Sequence, residues 1–210
     1  MSTRGCFGVR IDGKDFLTYN HSDSYPEWLG IQIVESLREM DVREMQVLAK
    51  KLQLVEAENH PTLQEYSRVC IALGKKFEEE ESIELPEPGS DWYTILHDFQ
   101  GDLNGILELG VMMDYVGFLN DSLFCEWAYI VNLDECVLEV YQGYQSSRGK
   151  GRYALAAKEA EDGYWPVSLV ETYEFVWEVN DEESRKDWVD SVVKEMKGLE
   201  MLLSGEDITE

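Results

Sequence analysis

The first 25 residues hold an unusual share of the chain's chemically versatile side chains. The run Tyr19-Asn-His-Ser-Asp-Ser-Tyr-Pro26 lies between a predicted strand and a predicted helix, where free backbone N–H groups and the helix dipole favour a bound anion. Arg4 or Lys14 adds a cation for a charge-assisted contact. The candidate ligand-binding residues here are Arg4, Lys14, Asn20, His21, Asp23 and Tyr25. The alternative is that the Asn, Asp and Ser side chains of this loop are turn and capping groups and that His21 only packs.

Hairpin geometry predicts that these residues converge. Phe7–Ile11 and Phe16–Tyr19 alternate as strands do, and Asp12-Gly13 between them is a strong two-residue turn signal. The second strand should therefore lie beside the first, about 4.8 Å away. We expect five residues to line a single surface cleft at the open end of this hairpin: Arg4, Asn20, His21, Asp23 and Tyr25.

A second basic stretch is Ser146-Ser-Arg-Gly-Lys-Gly-Arg152, which supplies Arg148 and Lys150 as further candidate ligand-binding residues. It lacks the spacing of a nucleotide P-loop. Two interpretations stay open, a mobile basic loop, which the pattern favours, and a loop that binds an anionic ligand in an otherwise acidic protein.

Nucleophilic chemistry is the alternative to binding. Cys6 lies on the first strand, and Ser2 and Thr3 precede it; a hydrolase would use one of them, assisted by His21 or Asp23. A base and an oxyanion hole are also required, and the sequence establishes neither. The four cysteines are widely spaced without a CxxC pair, so we predict reduced thiols, no metal site and no cofactor.

The charge of the chain limits its partners. Eighteen basic against 43 acidic residues leave a formal net charge of -25, which repels phosphate backbones and anionic lipids and so excludes general nucleic-acid binding. The excess acids serve solubility or, alternatively, form a DNA-mimicking surface that occupies a basic partner. No run approaches about 18 uninterrupted apolar residues, and no signal peptide is apparent, so we predict a cytoplasmic protein without a membrane span.

Helical periodicity fills the region after the first hairpin. We predict helices over residues 26–39, 45–52, 63–77 and 92–99, the first entered through Pro26. An acidic, proline-containing linker separates the third and fourth of these helices at about 78–90. Residues 101–120 fit neither a helix nor a strand pattern clearly.

Strand patterns return later. Cys125 to Leu133 and Cys136 to Tyr141 form a second predicted hairpin, and alternate residues from Trp165 to Trp177 should share one face of a long strand. The alternative is that a loop near Glu171 divides this strand. Asn180 is the predicted N-cap of a last helix that extends to Leu203. The expected fold is an α+β layered sandwich, one domain over residues 1–210, with a helical insertion at about 41–100 and a mainly antiparallel sheet covered by helices.

Two resemblances add to this interpretation. Thr3-Arg-Gly5, the Tyr19–Pro26 run and Leu29-Gly30 resemble the opening of an uncharacterised group of phage and bacterial proteins, as do Trp127–Asp134 and Tyr164–Leu169 later in the chain. Cys6-Phe-Gly-Val9 is similar to the first strand of N-terminal-nucleophile amidohydrolases. That family requires the nucleophile as its first residue, and here five residues precede Cys6.

Together these observations predict a non-catalytic, virus-type accessory protein. It would bind a small anionic, nucleotide-like ligand or a host protein and so interfere with a host process of the anti-defence type. The alternatives are an amidohydrolase of the N-terminal-nucleophile kind and an acidic DNA-mimic inhibitor.

Overall fold

The N-terminal hairpin forms as the Asp12-Gly13 signal predicts. In the computed structural model, which describes residues 3–76, 85–160, 162–175 and 181–204, strands β1 (Gly5–Ile11) and β2 (Lys14–Asn20) pair antiparallel. Asp12 and Gly13 have φ values of 50° and 74°, the left-handed conformation that a tight hairpin turn requires. The hairpin therefore places Asn20 and the following loop beside residue 4.

A five-stranded sheet extends from this hairpin. Strands β5 (Trp127–Asn132) and β6 (Val137–Gln142) form the second predicted hairpin, and β7 (Ser168–Glu174) pairs with β6. The strand order is β2-β1-β5-β6-β7. β1 and β5 run parallel, and the other pairings are antiparallel. The α+β fold with a mainly antiparallel sheet is confirmed.

The helices lie between β2 and β5 and after β6. A π-helical turn at Pro26–Gly30 leads into α1 (Ile31–Glu39), followed by α2 (Val42–Ala49), α3 (Leu63–Lys76), α4 (Trp92–Ile95), a 3-10 turn at His97–Phe99, α5 (Leu103–Leu109) and a 3-10 turn at Val116–Asn120; α6 (Gly151–Ala156) and α7 (Glu182–Ser204) come later. A short parallel pair, β3 (Gln53–Val55) with β4 (Val111–Met113), stands apart from the main sheet. Among the helices described, none has the length and apolar character needed to cross a membrane.

Two hydrophobic cores lie on opposite faces of the main sheet. The larger packs alternate residues of β1, β5 and β6 beneath the helices, and its sheet side includes Phe7, Val9, Tyr129, Val131 and Leu138. Residues on the other face form a smaller core with the segment before β5: Cys6, Leu17, Leu119, Cys125, Ala128, Ile130, Tyr141 and Val167. Cys125 precedes β5, and its side chain joins the smaller core, whereas Trp127 belongs to the larger one.

The prediction of one apolar face from Trp165 onwards is wrong, because the strand changes face near Glu171, where the alternative placed a loop. The register between β6 and β7 shifts, so that Leu169 pairs with Tyr141 while Glu171 pairs with Val140. Leu169 contacts the smaller core and Tyr173 belongs to the larger one. The extra residue of a β-bulge turns the alternation over, which strict period-two reasoning does not anticipate.

Several expectations fall partly on residues that the structure does not describe. Phe77, Trp177, the predicted N-cap Asn180 and residues 78–84 of the acidic linker are among them. The neighbouring Asp181 carboxylate accepts the N–H of Ser184 at 3.0 Å, so an aspartate supplies a cap at this end of α7. In the undecided stretch 101–120 the structure has α5, β4 and a 3-10 turn.

Candidate functional site

The loop after β2 is shaped by the side chain of Asn20, which is only 6% exposed. Its Nδ2 donates to Ser24 Oγ at 2.9 Å and to the carbonyl oxygen of Ser22. The Ser24 N–H in turn donates to the carbonyl oxygen of Thr3, and Asp23 takes a left-handed φ of 54° that aspartate tolerates. Asn20 and Ser24 therefore act as loop-forming residues, as the structural alternative predicts.

The exposed side chains of this loop line a cleft of about 400 Å³. His21 and Asp23 form one wall, and Trp28, His97 and Asp98 contribute from the turn into α1 and from the 3-10 turn; the remaining lining residues are Asn20, Ser22, Gln32 and Gln100. The His21 N–H donates to Gln100 Oε1 at 2.7 Å. This hydrogen bond joins the hairpin loop to the segment after α4.

Arg4 and His21 both lie near the hydroxyl of Tyr19. The Tyr19 hydroxyl is 3.3 Å from His21 Nδ1, and burial raises the pKa of this hydroxyl while the nearby Arg4 guanidinium opposes the rise. Arg4 itself stacks over the Phe124 ring at 4.6 Å and does not line the cleft. The structure thus brings Asn20, His21 and Asp23 together at this cleft, and it leaves Arg4 outside the cleft but near Tyr19.

Two other predicted residues lie elsewhere. The Tyr25 carbonyl accepts the N–H groups of Trp28 and Gly30, and its side chain packs against the larger core. Lys14 begins β2, at the opposite end of the hairpin, where its ammonium lies 4.5 Å from the centre of the Phe16 ring. Six residues of extended strand, about 20 Å, separate Lys14 from the loop, so it cannot share a small ligand with His21.

The basic stretch 146–152 is ordered by a helix. The Arg148 guanidinium donates to the carbonyl oxygens of Ala154, Leu155 and Ala157, the last turn of α6. Lys150 precedes the first helical residue, and its N–H donates to Ser168 Oγ at 3.0 Å. Arg148 therefore caps a helix with the donors that an anion would need. Residues 146–150 form a loop, as expected, and the helix begins only at Gly151.

The surroundings of Cys6 are those of a core thiol. The side chain is fully buried, and its Sγ lies 3.7 Å from the carbonyl oxygen of Tyr115. Burial raises the pKa of the Cys6 thiol well above its usual range, with a further contribution from Cys125. A nucleophilic cysteine needs the opposite shift. Thr3 is also buried, at 2% exposure, and Ser2 lies outside the described residues.

Comparison with protein-family models, with curated proteins and with solved structures found no match. The resemblance to phage and bacterial proteins and to amidohydrolases thus remains a prediction. Within the described residues no group of three or more His, Cys, Asp or Glu side chains is arranged to hold a metal ion.

A larger groove, of about 500 Å³, lies between α3 and α5. Its α3 side carries three cations, Arg68, Lys75 and Lys76, and its other lining residues are Ile71, Ala72, Phe99, Asp102, Asn104, Gly105, Glu108 and Leu109. Lys76 Nζ binds Asp102 Oδ2 at 2.5 Å and lies over the Phe99 ring. In the described part of the chain neither Arg68 nor Lys75 has an ion-pair partner.

Asn104, one of the residues that line this groove, has an unsatisfied acceptor. The residue is 9% exposed, and its Nδ2 donates to the carbonyl oxygen of Ser36 at 3.0 Å and to Glu39 Oε2 at 3.4 Å. Since both partners are acceptors, the orientation of the amide is determined. Asn104 Oδ1 is buried without a hydrogen-bond donor among the described residues, a state that costs about 1–3 kcal/mol.

The sequence analysis did not predict this groove, although the spacing of three basic residues indicates one of its walls. Lys75 and Lys76 follow Arg68 by seven and eight residues, a spacing that places all three along one face of a helix. The opposite wall comes from α5, within the stretch that fitted neither helix nor strand. No local pattern indicates that α3 and α5 pack together.

Proposed function

We propose that this chain is a non-catalytic binding protein whose α3–α5 groove takes a small organic anion. One observation carries the proposal: Arg68 and Lys75 line a groove and form no salt bridge with any described residue, in a chain with 43 acidic side chains. Of the described carboxylates near them, Glu65 interacts with the charge of Arg68 only at longer range. An anionic ligand would supply the missing partner.

The local charge supports an anion here more than at the His21 cleft. Once Lys76 and Asp102 neutralise each other, Arg68 and Lys75 face only Glu108 among the charged lining residues. The His21 cleft instead carries Asp23 and Asp98. Because the whole chain repels anions at long range, a local excess of cations is what selective anion binding requires.

The remaining lining residues narrow the ligand chemistry. Ile71, Ala72, Phe99 and Leu109 offer an apolar surface for a ring or a short hydrocarbon. Asn104 Oδ1, which is buried, would regain a hydrogen bond if a ligand N–H or O–H group displaced the side chains that cover it. A ligand with a phosphate or carboxylate, an apolar body and a donor satisfies all three features, and a nucleoside monophosphate is one such molecule. Its size suits a groove of about 500 Å³.

Binding without catalysis is favoured by the state of the candidate nucleophile. Cys6 is buried and its pKa is raised, which opposes the hydrolase alternative. The resemblance of the first thirty residues to phage and bacterial proteins supports a virus-type accessory role, in which the bound molecule belongs to the host.

The test is a direct binding measurement by calorimetry at 0.15 M salt. Adenosine monophosphate, cyclic adenosine monophosphate and citrate are the probes, while adenosine and inorganic phosphate are the controls for the ring and the charge alone. We expect at least one organic anion to bind more tightly than either control, because only it engages both the cations and the apolar surface.

Matched variants locate the site. Lys75→Gln should weaken the binding of that anion roughly fivefold, about 1 kcal/mol, because Lys75 is exposed and its contact is solvent-screened. Lys51→Gln makes the same change of charge on an exposed lysine outside the groove and should leave binding unchanged. No binding of any organic anion, or equal losses in both variants, would contradict the proposal.

A further inference from the structure

The cleft beside His21 has the opposite chemistry to the α3–α5 groove. Its charged lining residues are the carboxylates of Asp23 and Asp98, and among the described residues no lysine or arginine lines it. Both carboxylates belong to exposed residues. With a formal net charge of -25 over the whole chain, the local and the long-range fields both attract a cation.

Trp28 offers an open aromatic face at this cleft. Its side chain is 58% exposed although tryptophan is normally well covered. Several cations of the chain lie over aromatic rings, such as Arg4 over Phe124 and Arg148 over Trp165, whereas none of the described cations lies over Trp28. Tryptophan is the ring that binds cations best.

Gln100 adds a buried donor. Its Oε1 accepts the His21 N–H at 2.7 Å. Its Nε2 is buried and has no acceptor among the described residues. A ligand carbonyl satisfies it once the side chain of Gln100 turns this atom towards the cleft. The cleft therefore combines two carboxylates, an exposed indole and an amide donor.

We propose that this cleft binds an arginine or lysine side chain presented by a basic segment of a partner protein. The cation lies between the Asp23 and Asp98 carboxylates, its aliphatic stem covers the Trp28 ring, and a main-chain carbonyl of the segment accepts from Gln100 Nε2. A peptide supplies both groups together, since each residue carries a carbonyl next to its side chain. A volume of about 400 Å³ suits one long side chain and its backbone. This inference is independent of the anion groove.

The test uses two short peptides and the whole chain. The first is acetyl-Gly-Gly-Arg-Gly-Gly-amide, and the second replaces arginine by citrulline, which keeps the shape and removes the charge. Both are titrated to millimolar concentration at 0.15 M salt while amide and indole resonances are followed by NMR. We expect the arginine peptide to shift the resonances of His21, Gln100 and the Trp28 indole, and the citrulline peptide to bind at least about fivefold more weakly. Equal binding of the two peptides overturns the inference.

Charge-matched variants separate this cleft from the general acidity of the chain. Asp23→Asn and Asp98→Asn should each weaken the arginine peptide about three- to tenfold, and asparagine tolerates the positive φ of residue 23. Asp187→Asn removes the same charge from an exposed position on α7 and should have no effect. Equal losses in all three variants would show attraction by net charge alone and would overturn a defined site. Lys75→Gln should leave peptide binding unchanged, so failure of the anion groove and failure of this cleft are distinguishable.

Discussion

Arg152 Nη2 lies 3.0 Å from Asp15 Oδ1, so α6 is tied to the second strand across 137 residues of sequence. The same guanidinium binds Glu139 on β6, and the Tyr153 hydroxyl donates to Asp15 Oδ2 at 2.9 Å. Arg10 binds Asp15 from the neighbouring strand at 2.8 Å. Two largely buried carboxylates on the sheet thus share cations from β1 and α6.

Loss of Arg152 should therefore destabilise the fold strongly. Arg152→Met keeps the aliphatic stem but leaves Glu139, whose side chain is 7% exposed, without its cation. We expect a decrease of about 3–5 kcal/mol in the free energy of unfolding, since an uncompensated buried charge remains. Urea denaturation measures it, with Arg43→Met, an exposed arginine on α2, as the control. A decrease below about 1 kcal/mol would mean that solvent, rather than Arg152, compensates the carboxylates.

Thiol reactivity tests the environment of Cys6. Cys6 and Cys125 are buried, while Cys70 and Cys136 are only partly so. Since burial raises the pKa of the Cys6 thiol, little of the reactive thiolate forms near neutral pH. We expect Ellman's reagent to modify Cys70 and Cys136 first under native conditions, and all four thiols after unfolding in guanidinium. Rapid native labelling of Cys6, located by mass spectrometry, would instead favour the hydrolase alternative.

The first hairpin should lose stability in acid through Asp134. The Asp134 carboxylate accepts the N–H groups of Asp12 and Gly13 at 2.8 and 2.9 Å, and the hydrogen bond from Gly13 is the main reason that its pKa is lowered. A carboxylate with a lowered folded-state pKa stabilises the fold above its unfolded value and loses this contribution as the pH falls through the folded one. Asp134→Asn should therefore cost about 0.5–1 kcal/mol at pH 7, because the group is exposed.

The difference between Asp134→Asn and the parent chain should shrink as the pH falls below about 4. Chemical denaturation at a series of pH values measures it. Glu135→Gln changes the neighbouring side chain of the same turn, which makes no hydrogen bond in the described structure, and should show no such trend. A difference that stays constant down to pH 2 would rule out the carboxylate as its source.

The part of the fold encoded by local pattern was predictable. The Asp12-Gly13 turn, the second hairpin and the amphipathic helices α1 to α3 follow from period and turn chemistry. The face reversal in β7 does not, because a bulge depends on how β6 and β7 align. Helix α6 was not predicted because it is short and begins at Gly151, a poor helix residue. Its last carbonyls are capped by Arg148, a contact that the helix sequence does not contain.

The candidate sites were likewise predictable only in part. His21 and Asp23 line one cleft because they follow directly on β2. Trp28 and Gln100 complete that cleft from segments whose positions depend on tertiary packing, and the anion groove depends on α3 meeting α5. Residue type alone suggested that Arg148 and Lys150 bind a ligand. It does not reveal that α6 supplies carbonyl acceptors for Arg148.

The Arg148 guanidinium provides the last prediction, because capping and anion binding have opposite consequences for α6. Arg148 donates to three carbonyls at the end of this helix and lies over the Trp165 ring at 5.2 Å. Arg148→Ala should raise the hydrogen-exchange rate of residues 151–157 about tenfold or more, since carbonyls at a helix end lose a charged donor worth about 1.5–3 kcal/mol. Arg148→Lys keeps the charge but offers a single point of contact in place of the planar fork, so we expect an intermediate rate.

Lys158→Ala removes a nearby cation beyond the helix and should leave exchange unchanged. If Arg148 instead serves a ligand, Arg148→Ala would leave the hydrogen exchange of α6 unchanged. Adenosine monophosphate would then slow the exchange of α6 in the parent chain but not in Arg148→Ala. That result would return Arg148 to the candidate ligand-binding residues.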